Sequence, residues 1–68
     1  MSSRGIGQLI RELRTRQGLS QEGLAQKARL SRIYIAKLEA GERASPSIPA
    51  LQRIAGALGA KLKIDLVQ

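Results

Sequence analysis

Apolar residues recur along this chain at helical spacing four times, and at strand spacing once. Ile6, Leu9, Ile10 and Leu13 follow the i, i+3, i+4, i+7 rule of one helix face. Gly18 is placed to stop that helix in the left-handed conformation, and Gly5 and Gly7 leave its start open. Ser20 is then an N-cap for a short helix with a narrow face of Leu24, Ala25 and Ala28, ending near Arg29. Glu22 sits at the positive end of that helix dipole. Ser31 caps a third helix that buries Ile35 and Leu38 and stops at Gly41. So tight a connection between two short helices predicts a steep crossing. Ser47 caps a fourth helix, with Pro49 tolerated in its first turn, Leu51, Ile54, Ala55 and Leu58 on its buried face, and Gly59 as its stop.

The period then changes. Residues 61–67 alternate, with Leu62, Ile64 and Leu66 on one side and Lys61, Lys63 and Asp65 on the other. A lone strand leaves its backbone donors and acceptors without partners. The economical solution is the same strand of a second copy, antiparallel across a two-fold axis. The expected architecture is therefore all-α, four helices in a single domain over residues 1–68, with a C-terminal strand building an intersubunit ribbon. A frayed tail or an extension of the fourth helix is the alternative.

Composition narrows the chemistry. With no Cys and no His in 68 residues, there is no thiol nucleophile, no zinc-thiolate site and no imidazole base or ligand. Five dispersed carboxylates offer neither a paired acid and base nor an oxygen cage. Gly5-Ile6-Gly7 opens like a dinucleotide loop, but position 10 is Ile and no strand precedes it. No enzyme, no metal and no cofactor are expected. Twelve Lys and Arg against five acids give a formal charge of +7, an excess that a polyanion would stabilise. One tyrosine is too few for stacking on single strands. Without an apolar run of transmembrane length or a signal core at the start, the expectation is a cytoplasmic protein with no membrane partner.

Ser20-Gln21-Glu22-Gly23-Leu24-Ala25-Gln26-Lys27-Ala28, followed by Leu30-Ser31-Arg32-Ile33-Tyr34-Ile35-Ala36-Lys37-Leu38-Glu39-Ala40-Gly41, resembles the helix-turn-helix of lambdoid phage repressors and the wider XRE group. The likeness runs from Ile6 to Gly59, through Pro46-Ser47 and Leu51-Gln52-Arg53-Ile54. It implies a double-stranded DNA partner, with the motif at residues 20–41 and its second helix in the major groove. In layout, the terminal run Leu58-Gly59-Ala60-Lys61-Leu62-Lys63-Ile64-Asp65-Leu66 is similar to HipB-type antitoxins, which implies a homodimer, a palindromic operator and a cognate toxin. A phage-type repressor, a restriction–modification controller or a protein-interaction module without DNA binding are the alternatives.

Roles for particular residues follow from that resemblance. Packing on Ile35 and Leu38 turns Arg32, Ile33, Tyr34 and Lys37 outward, where Arg32 is the first base-reading candidate through guanine O6 and N7. Ile33 meets a thymine methyl or covers the core edge, and Lys37 reads a base or a phosphate. Tyr34 bonds a phosphate or seals the helix edge. Gln21 matches a position that contacts the DNA backbone, and Arg43 is assigned there as well. Arg14 and Glu39 match a structural ion pair. Two departures stand out. Arg29 occupies a turn where relatives often have Gly, which makes it either a phosphate contact or an exposed cation in a strained turn. Gly23 stands where Glu is common, so the reciprocal capping box is missing.

Overall fold

Each helix of this protein starts on a serine or a glycine and ends on a left-handed residue. The structure, a computed structural model, describes residues 5–42 and 46–60. Four helices follow in chain order: α1 (Gly5–Arg16), α2 (Gln21–Ala28), α3 (Arg32–Glu39) and α4 (Ile48–Ala57). Ser20 Oγ accepts from the Gly23 amide, Ser31 Oγ from Tyr34 and Ser47 Oγ from Ala50. Each cap satisfies one orphan amide and contributes about 1 kcal/mol. The capping residues are the three serines predicted from sequence.

The C-termini share one hydrogen-bond pattern. The residue after each helix takes positive φ and donates to the carbonyl three residues back, while the next residue donates five back. Gly18 donates to Thr15 and Leu19 to Arg14; Gly41 to Leu38 and Glu42 to Lys37; Gly59 to Gly56 and Ala60 to Ala55. At the end of α2 the same two bonds run from Arg29 to Gln26 and from Leu30 to Ala25. Arg29 has φ 59° and ψ 43°, the single non-glycine positive φ among the described residues. The turn thus keeps its left-handed geometry and bears the β-carbon, at a cost on the order of 1–2 kcal/mol.

The core is small and aliphatic. Ile10, Leu24, Ala25, Ala28, Ile35, Leu38, Ile54 and Leu58 form one buried cluster, flanked by half-buried Leu13, Leu19, Leu30, Tyr34 and Leu51. Helix α2 lies at its centre, packed on α3 and α4, while α1 packs on α3. The sequence-assigned face of α4 is corrected in detail: Ile54 and Leu58 are buried, Leu51 and Ala55 are half-buried, and Ala50 joins the interior. The α1 face also splits, with Ile10 buried and Ile6 and Leu9 left 37% and 49% exposed. The predicted strand over 61–67, with Leu62, Ile64 and Leu66, lies outside the described residues.

Gly7 explains an ambiguity in the sequence. A β-carbon there would collide with the Leu38 carbonyl oxygen and sit 3.3 Å from Cα of Glu39. The glycine lets α1 cross the C-terminal end of α3 backbone to backbone. Gly56, in α4, has nothing within 4 Å of such an atom. Gly7→Ala should therefore destabilise by about 1–3 kcal/mol through a forced backbone shift. Gly56→Ala should stabilise by about 0.5–1 kcal/mol through the helix entropy term alone. Urea melts followed by circular dichroism measure both, and equal effects would remove the close crossing as the explanation.

Candidate nucleic-acid interface

Helix α3 is held at its last residue by a network on Glu39. Arg14 Nε donates to Glu39 Oε2 at 2.7 Å and Arg14 Nη2 to Oε1 at 3.0 Å, a two-pronged ion pair between α1 and α3. The third guanidinium nitrogen, Nη1, donates to the Leu19 carbonyl at 2.8 Å, in the loop between α1 and α2. Gln21 Nε2, from the first residue of α2, donates to Glu39 Oε1 at 3.2 Å. Side chains from α1 and α2 thus converge on one carboxylate of α3, and Arg14 ties in the α1–α2 loop as well. The side chains are 11% exposed for Arg14 and 4% for Glu39.

Geometry of this kind strengthens the charged pair. The hydrogen bonds that Arg14 donates to Glu39, helped by the carboxylate charge, hold the Arg14 pKa above the ordinary arginine value against the opposing effect of burial. A raised folded-state pKa adds stability below the unfolded-state value and loses it only as pH climbs past both. For an arginine that window lies in strong alkali, so this tie does not titrate near neutrality.

The side of α3 away from buried Ile35 and Leu38 is open. Arg32 is exposed at the first helical position, Lys37 is exposed one turn further, and Ile33 is 59% exposed between them. Ile33 and Lys37 are i, i+4 neighbours in one exposed strip, and Arg32 stands at its edge beside half-buried Ala36. At that exposure Ile33 stands outside the buried cluster. Tyr34, next along, is half-buried and packs against the buried cluster. Eight residues of helix span about 12 Å, comparable to the width of the DNA major groove.

Other assigned residues fall elsewhere. Gln21 is half-buried with one amide hydrogen committed to Glu39, a role that sequence reasoning missed. No local pattern links residues 18 positions apart, so nothing in the chain announced it. Arg29 is exposed in its turn between α2 and α3. Arg43 lies outside the described residues. Among the described residues no cluster of three or more His, Cys, Asp or Glu could hold a metal ion. No helix there is long and apolar enough to cross a membrane.

Two short helices joined by a capped, left-handed turn, the second presented outward, define a helix-turn-helix. The sequence profile of the helix-turn-helix family matches residues 10–64, and the chain belongs to that family, in its XRE, lambda-repressor-like branch. It is 46% identical over 54 residues to the immunity repressor protein of Bacillus phage phi105. That match takes in 79% of this chain but 37% of the phage protein.

The Glu39 network makes a prediction. Glu39→Ala leaves a largely buried guanidinium without its counter-charge and should cost at least about 3 kcal/mol. Glu39→Gln keeps hydrogen-bonding oxygen for Arg14 and should fall between that variant and the wild type in Tm. The folded Glu39→Gln protein should retain the wild-type ranking of DNA sites in a selection from random sequence. A normal Tm with an altered ranking would reassign Glu39 to the reading surface.

Proposed function

We propose that this chain is a DNA-binding region of a transcriptional repressor, reading operator sequence with the exposed strip of α3 and performing no chemistry of its own. The observation that carries this reading is that Arg32, Ile33 and Lys37 stand exposed on α3, on the side away from buried Ile35 and Leu38. Arg32 offers a guanidinium to guanine O6 and N7, Ile33 an apolar surface to a thymine methyl, and Lys37 an ammonium to a base or phosphate. Gln21, Tyr34, Arg29 and Arg43 are assigned to backbone phosphates, which position the domain without reading sequence. For Gln21 this uses the amide hydrogen that Glu39 leaves available. The formal +7 supplies the sequence-independent attraction.

The repressor acts as a homodimer in this proposal. Residues 61–67 pair with the same segment of a second copy, presenting two α3 helices about one DNA turn (~34 Å) apart to a palindromic operator. Two biological settings fit. The alternating segment favours a HipB-like antitoxin that represses its own operon and binds a cognate toxin. The likeness to a phage immunity repressor favours the phage-type alternative. An adjacent reading frame whose product is toxic alone and neutralised by this protein would select the first.

Selection of bound duplexes from a random library tests the core of the proposal. A palindromic consensus is expected, with affinity falling steeply as salt rises. Binding with no preferred sequence, or none at all, overturns it. Arg32→Ala should weaken the consensus complex by about 1–3 kcal/mol and relax preference at one base step of each half-site.

The dimer has a separate test. Leu62→Asp combined with Ile64→Asp should yield monomers in sedimentation equilibrium and lose most operator affinity. An intact dimer after both changes excludes the ribbon.

A further inference from the structure

An apolar groove runs between α1 and α4, opposite the α3 reading strip in chemistry and independent of it. Ile6, Leu9 and Leu13 form one wall, Leu51 and Leu58 the other, and its lining is apolar throughout. Ile6 and Leu9 are two of the four large apolar side chains left exposed among the described residues. Ala60, the residue after which the chain continues into 61–68, also lines the groove.

We infer that this groove is the seat of the chain's own residues 62–66, whose alternate side chains Leu62, Ile64 and Leu66 cover Leu13, Leu9 and Ile6 in turn. Direction, length and chemistry each support that occupant. The Gln17 amide donates to the Leu58 carbonyl at 2.7 Å, which holds the C-terminal ends of α1 and α4 together. A chain leaving Ala60 at that end runs back along the groove towards Ile6. From Leu13 to Ile6 is seven helical residues, about 10 Å. From Leu62 to Leu66 is four extended residues, about 13 Å. The segment is therefore long enough to run the length of the α1 wall. Lys61, Lys63 and Asp65 fall on the outer face, towards water. The family profile also continues past Ala60 to residue 64, so the segment belongs to the same unit as the helices.

This docking uses the face of the segment, and the ribbon proposed above uses its edge. The two are compatible, and because Leu62 and Ile64 carry the docking, replacing both by Asp unseats the strand together with its ribbon edge. The apolar stripe buried on the groove is the means by which a short strand gains a fixed position on its own domain.

Cross-linking separates the possibilities, because the chain has no cysteine of its own. The double variant Leu9→Cys with Ile64→Cys is oxidised mildly and run on non-reducing gels, with masses checked. Leu9→Cys with Asp65→Cys is the control, since position 65 lies on the other face. The inference expects an intrachain disulfide forming at least about tenfold faster in the first pair, because a disulfide needs β-carbons roughly 4 Å apart. Equal rates in the two pairs, or a bond between chains, overturn it; the latter would give the groove to a second copy. A single substitution provides an independent reading. Leu9→Gln should lower Tm by about 5 °C or more if the residue is covered, and leave it unchanged if Leu9 faces water. Because sedimentation reads the dimer and the intrachain bond reads the docking, either can fail alone.

Discussion

One carboxylate organises this domain. Glu39 collects Arg14 from α1 in a two-pronged ion pair and Gln21 from the start of α2, while Arg14 also reaches the Leu19 carbonyl. A buried ion pair adds little net stability compared with a good apolar replacement. Its value here is directional. Aliphatic packing among Ile10, Leu24, Ile35 and Leu38 tolerates small rotations of a helix about its own axis, whereas a planar guanidinium facing a carboxylate does not. With α3 only eight residues long, its rotation decides which side chains point outward, so the pair fixes how Arg32, Ile33 and Lys37 are presented.

The helices it joins are too short to hold their shape alone. Serine caps at one end and a repeated pair of backbone bonds at the other satisfy donors and acceptors locally. Tertiary packing then has only to bury side chains. The turn between α2 and α3 is where this economy is broken, because Arg29 accepts a backbone conformation that glycine would adopt without strain. A cation is thereby placed between the two motif helices, and its contact with phosphate is part of the proposed DNA complex.

Much of this was legible in the chain. Ser20, Ser31 and Ser47 announced the helix starts, Gly18, Gly41 and Gly59 their stops, and the period of Ile35 and Leu38 placed Arg32, Ile33 and Lys37 on the open side. Those signals are local: a cap needs a hydroxyl three residues before an amide, and an amphipathic face needs only its own period. What stayed hidden depends on partners distant in sequence. The Gln21 amide meets Glu39 because α2 and α3 cross, and Gly7 is needed because a carbonyl from residue 38 lies against α1. A helix period marks an apolar face without saying what covers it, which is why Ile6 and Leu9 read like Ile10 yet stand largely open. Arg14 and Glu39 were paired from resemblance, since a separation of 25 residues carries no local signature.

The open position of Ile33 bears on how such a protein could change over generations. A side chain 59% exposed and outside the core can be exchanged at a stability cost within about half a kcal/mol, and Arg32 and Lys37 are similarly placed. Gly7, Arg14 and Glu39, by contrast, admit little. The residues proposed to choose the operator are thus separable from those that hold the fold. Lineages of this domain can drift from one DNA sequence to another through folded intermediates, with the scaffold unaltered behind them.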